Sequence, residues 1–138
     1  MKFVEAGYRE DPGKFQHDFV EMFAKDVAEC LGVEEPKALA DIFYQLICSV
    51  IDAMSIAKLR MADKEGIDVI LMRVELIKLN PKGLKFQVIP LNNEREPITT
   101  NLEMPALILN PDQEEMKKNL KTGRSIVSFL LPKLPKSN

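Results

Sequence analysis

The 138-residue chain holds one imidazole, two thiols and a few oddly placed carboxylates to do chemistry with. His17, the only histidine, stands four residues before Glu21. That spacing puts two potential metal ligands on one helix face. A transition-metal site asks for more ligands than these two, and the flanking charges read as a solvated face. A Ser-His-Asp or Cys-His nucleophile would have to use the same His17, so neither is expected. Cys30 and Cys48 lie among apolar residues and form no C-x-x-C pair, which reads as two buried thiols in a reducing compartment.

Asp26 is the carboxylate that stands out, because a helical wheel places it inside an apolar arc near Phe19 and Cys30. A carboxylate in an apolar pocket suits general acid–base work, whereas a basic partner or a cap is the plainer account of it. Asp41 and Asp52 share a face but lie about three helical turns apart, too far to act as a pair. "KTGRS" is not a phosphate-binding loop, and no G-x-G-x-x-G occurs. These residues predict no cofactor, no metal and no enzyme, with a small enzyme built on a buried carboxylate as an alternative.

Charge is unevenly distributed. Residues 1–65 carry 8 Lys/Arg against 13 Asp/Glu, residues 66–115 carry 5 against 8, and residues 116–138 carry 6 against none. The basic end includes Lys117, Lys118, Lys121 and Arg124, a patch able to neutralise phosphates. An acidic whole (pI about 5.5) and a lack of interleaved aromatics other than Phe129 disfavour nucleic acid as the partner. Lysines at the C-terminal end of a helix also complement its dipole.

The length is that of one domain, 1–138, with 124–138 as a basic and apolar C-terminal segment. An apolar fraction of 46% and a charged fraction of 29% belong to a globular chain that buries one core. Charges at Glu5, Arg9, Glu10, Asp11 and Lys14 interrupt any signal-peptide core. Asp41 and Asp52 bracket the longest apolar run, leaving it short of a membrane span. A cytoplasmic location is expected.

The elements that must position these residues follow from periodicity. Phe15, Phe19, Met22, Phe23, Val27 and Cys30 form a buried helical stripe from about Lys14 to Leu31, closed by Gly32. Pro36 to Gly66 predicts a second helix of roughly 30 residues, about 45 Å long, expected to break near Ser55 or project from the body. Along it Phe43, Ile47, Val50, Met54, Ala57 and Met61 follow a 4-3-4-3-4 spacing, a heptad seam. The seam reads as a core face, part of which could meet a second copy of the chain.

Residues 67–93 predict a β-hairpin turning at Asn80-Pro81-Lys82-Gly83. A four-residue loop sets Leu79 opposite Leu84, Ile77 opposite Phe86 and Arg73 opposite Pro90, leaving both faces partly apolar. Ile98 to Met104 alternates as a third strand ended by Pro105. Asn110 and Pro111 open a last helix that Gly123 ends, and Pro132 and Pro135 stop the apolar segment after it. The expected fold is α+β: two N-terminal helices, the second long and central, a three-stranded antiparallel meander, and a C-terminal helix. Scarce catalytic residues and abundant apolar surface predict a non-enzymatic protein-interaction module, an adaptor, assembly factor or chaperone-like protein acting as a homodimer. The expected partner surface is the seam of Phe43, Ile47, Val50, Met54 and Met61. A nucleic-acid-associated protein using the basic end is the other alternative.

Overall fold

The computed structural model describes residues 2–7, 11–78, 83–109 and 113–130. Strand β1 (Phe3–Gly7) is followed by helices α1 (Pro12–Leu31) and α2 (Pro36–Arg60) and a π-helical turn, Met61–Glu65. Strands β2 (Leu71–Lys78), β3 (Leu84–Leu91) and β4 (Ala106–Leu109) come next, then helix α3 (Gln113–Thr122) and strand β5 (Val127–Leu130). The strands form one antiparallel sheet in the order β1-β2-β3-β4-β5. The α+β class, the antiparallel meander and the three helices stand. The sheet has five strands rather than three, because a short strand at each end of the chain joins the edges.

Helix α1 begins where its cap allows. Asp11 accepts a hydrogen bond from the Gly13 N–H at 2.9 Å, Pro12 fills the first turn, and Gly32 (φ 64°) closes the helix. Helix α2 does not break at Ser55, whose hydroxyl donates to the Ile51 carbonyl one turn back, at 3.1 Å. Only the last turn widens, from Met61, before Gly66 (φ 64°) ends it. By length and hydropathy (1.5 over its best window), Pro36–Glu65 could cross a membrane, and 33% of that window is buried inside this fold.

The hairpin register differs from the expected one by a single residue. Lys78 faces Leu84, Leu76 faces Phe86, Val74 faces Val88 and Met72 faces Pro90. Residues 79–82, including Asn80, Pro81 and Lys82 of the expected turn, lie outside the described residues. A one-residue shift exchanges every side chain between faces. Here it gathers Met72, Val74, Leu76, Leu84, Phe86 and Val88 on one buried face and leaves Arg73, Glu75, Lys85 and Gln87 on the other.

The third strand is also displaced, from 98–104 to Ala106–Leu109. The Pro90 carbonyl accepts from the Ile98 N–H (3.0 Å), and the Val88 N–H donates to the Pro105 carbonyl (3.4 Å). The backbone groups of Val88 and Pro90 therefore point toward β4. Pro90 has no N–H to give there, and β4 pairs only with Leu84–Gln87. Residues 98–105 pass along the open half of β3 instead, held by Gln87, whose amide donates to the Met104 and Pro105 carbonyls at 3.2 Å each.

One hydrophobic cluster runs from Val4 to Val127 between the sheet and the helices. At its centre Phe19, Phe23 and Phe86 are fully covered, with ring centroids 4.9, 5.1 and 5.5 Å apart. Such aromatic contacts add roughly 0.5–1.5 kcal/mol each beyond area burial. Helix α3 ends at Gly123 (φ 71°). The expected helix start at Asn110 and Pro111 and residues 131–138 of the C-terminal segment lie outside the described residues.

Candidate functional site

The residues singled out from the sequence scatter over the fold. His17 lies 3.2 Å from Glu21 on an exposed face, and among the described residues no three His, Cys, Asp or Glu side chains gather into a metal site. Cys30 is half-buried and Cys48 exposed, which corrects the reading of both as buried thiols. The apolar neighbours that suggested burial face the core from other sides of their helices. Asp26 is 7% exposed and meets the Lys2 ammonium at 2.8 Å. It lines neither of the grooves described below. Lys117, Lys118, Lys121 and Arg124 are exposed on and just after α3.

The seam on α2 turns inward. Phe43, Val50, Met54 and Met61 are buried within the single chain and Ile47 is half-buried. Another row of α2 stays uncovered: Tyr44 (73% exposed), Cys48, Ile51 and Leu59 (69% exposed). At 100° per residue these four fall within a narrow arc. Beside this row runs an open groove of about 520 Å³, between α2 and the α3–β5 connection, with Tyr44, Cys48 and Leu120 in its walls. Gln45 anchors that connection by accepting from the Ile126 N–H at 3.0 Å.

A larger groove, about 670 Å³, lies where β1 forms one edge of the sheet. Lys2 reaches Asp26 far down α1, so the helix turns back along the strand and forms the second wall. Phe3, Val4 and Glu5, with Arg95, line one side, and Lys14, Phe15, Asp18, Glu21 and Met22 the other. Phe3 and Met22 are 39% and 40% exposed.

The pairing of β1 sets which backbone groups face this groove. The Lys2 carbonyl accepts from the Leu76 N–H at 2.9 Å. Antiparallel hydrogen-bonded pairs recur at every second residue, so Val4 and Ala6 bond across to Val74 and Met72. The N–H and C=O groups of Phe3, Glu5 and Gly7 then point away from β2. Among the described residues they have no backbone partner.

On the outer sheet face beside this edge sits a compact set of charges. Arg95 lies 2.6 Å from Glu5, and Arg73 lies 3.8 Å from Glu5 and 3.4 Å from Glu75. The Arg73 guanidinium also stacks over the Phe3 ring at 4.2 Å, a cation–π contact. Its Nε is buried and has no hydrogen-bond partner among the described residues. Arg73 and its two glutamates are each less than one-fifth exposed. Phe3, Glu5, Arg73 and Arg95 belong to no sequence motif. Their only signal was the brief alternation Phe3, Val4, Glu5, Ala6, with two apolar residues facing in.

Fold and surfaces together define a class: an α+β chain built on a five-stranded antiparallel meander with one covered face, an edge strand β1 whose outer backbone groups have no backbone partner among the described residues, and an uncovered helix row. No protein family, curated protein or solved structure matches the chain.

Proposed function

We propose that this chain is a non-enzymatic protein-interaction module, an adaptor, assembly factor or chaperone-like protein, that acts as a homodimer through the outward row of α2. The observation behind this reading is the exposure of Tyr44 and Leu59, 73% and 69%, on the outward face of α2. Large apolar side chains left open in a row mark interaction surfaces. The occupant is a second copy because, reversed about its midpoint, the face sets apolar against apolar at its ends and small against small inside them, with the exposed Asp52 beside Ile51 at the axis. Tyr44 and Leu59 are about 22 Å apart along the helix, with Ile51 near the midpoint and Cys48 and Ser55 on either side of it. Two antiparallel copies about a two-fold axis set Tyr44 of one against Leu59 of the other, twice over, with Cys48 beside Ser55. Each open groove beside α2 then flanks the interface.

Sedimentation equilibrium at tens of micromolar tests this. The wild type is expected to be a dimer. Tyr44→Glu combined with Leu59→Glu is expected to be a monomer with an unchanged far-ultraviolet circular dichroism spectrum, since both positions are exposed in one chain. A wild type that is monomeric throughout that range overturns the dimer.

A further inference from the structure

We propose that the free edge of β1 takes an extended peptide strand of another protein, one that alternates apolar and basic side chains. This rests on reading the chain as an interaction module, not on the dimer, because the site lies on β1 and α1 rather than on α2. Three observations place it there.

First, Phe3, Glu5 and Gly7 present a ladder of backbone donors and acceptors with no backbone partner among the described residues, which an added strand satisfies. Second, the edge lacks the usual defences. Strand β1 contains no proline and pairs with β2 without a bulge, features that native sheets otherwise use to discourage pairing. Its one charge, Glu5, is held back by Arg95 at 2.6 Å and Arg73 at 3.8 Å. Third, the groove beside the edge has a wall suited to one strand. Two of its apolar members, Phe3 and Met22, are each about two-fifths exposed, and along α1 the acids Asp18 and Glu21 outnumber the base Lys14, while Arg95 in the same lining is engaged by Glu5.

An added strand turns alternate side chains toward α1. Basic residues at those positions meet Asp18 and Glu21, and the apolar residues between them turn to the outer face beside Phe3. A second copy of this chain is a poor occupant. Strand β1 itself, Phe3–Gly7, carries no basic side chain to set against Asp18 and Glu21.

The probes are three capped nine-residue peptides: alternating valine and lysine, alternating valine and glutamate, and the valine–lysine peptide N-methylated on alternate amides. The third keeps charge and shape but loses one ladder of N–H groups. Binding is read by fluorescence anisotropy, and amide hydrogen exchange is followed by NMR. The valine–lysine peptide is expected to bind and to slow exchange of the Phe3, Glu5 and Gly7 amides at least tenfold. The Val4 and Ala6 amides, already bonded to β2, are expected to change little. The other two peptides are expected not to bind, and Asp18→Asn with Glu21→Gln to weaken binding about tenfold.

Equal binding of the N-methylated peptide, or no slowing at Phe3 and Glu5, overturns the proposal. So does protection of those amides that grows with protein concentration in the absence of peptide, which means a second copy holds the edge. Measured also on the Tyr44→Glu, Leu59→Glu variant, binding is expected to match the wild type, so failure at α2 and failure at β1 are read separately.

Discussion

Arg95 is the only residue other than glycine with a left-handed backbone among the described residues, at φ 63°. The turn after β3 demands it. Arg95 N–H donates to the Asn92 carbonyl (3.0 Å), and Asn92 N–H to the Glu96 carbonyl (2.8 Å). The Asn92 side chain accepts from the Glu94 and Glu96 N–H groups. An L side chain in that conformation costs about 1–2 kcal/mol, a penalty glycine escapes. The return is the ion pair with Glu5, but Arg95 is 64% exposed, and pairs that open to water contribute little. Arg95→Gly and Arg95→Ala both lose the pair and differ only in the backbone. Urea unfolding is therefore expected to show Arg95→Gly more stable than Arg95→Ala by about 1 kcal/mol. Equal midpoints would mean the turn carries no strain. Asp26 shows what sequence can read at this scale. Its place within an apolar arc marked it as unusual, and its partner Lys2 lies in a segment whose strand was invisible.

At the scale of elements, the hairpin register makes the sharpest distinction. With a four-residue loop Ile77 stands opposite Phe86 inside the core; in the structure Leu76 does, and it is 7% exposed while Ile77 is 37% exposed. Leu76→Lys buries an ammonium and removes core volume, and is expected to cost more than about 3 kcal/mol. Ile77→Lys is expected to stay within about 1 kcal/mol of wild type. Guanidinium denaturation of the two variants decides it, and the reverse order of stability would restore the shorter loop. The helices were legible because twenty residues of three-and-four spacing with glycine stops give a long signal. Strands β1 and β5 were not, because five and four residues give too few alternations to separate from chance. The third strand was misplaced because Ile98 to Met104 alternates well in isolation, while the constraint that excludes it sits elsewhere, at Pro90. The inward seam was legible as a pattern but not as an address, since periodicity states which face is apolar and not what covers it.

For the whole molecule, the meander hides an unequal cost of closure. Strands β2 and β3 join through a short connection, and β3 meets β4 soon after. Strand β1 pairs with β2 only once α1 and α2 have been laid between them, with Phe3 opposite Glu75. Closing that long loop costs entropy before any β1 contact repays it. The β2–β3 pairing with α2 packed on it is therefore expected to form first, and β1 to dock late. Val4 and Val88 test this order, being 6% and 1% exposed and both aligned with Val74. Truncation of either to alanine is expected to destabilise by about 1–2 kcal/mol, enough for a reliable kinetic partition. Stopped-flow chevrons are expected to show Val4→Ala accelerating unfolding with the folding rate nearly unchanged, and Val88→Ala slowing folding. If Val4→Ala slows folding as much as Val88→Ala does, β1 belongs to the nucleus. A late-docking β1 bears directly on the edge it offers: the strand that would receive a peptide is then also the one whose contacts are lost first when the fold opens.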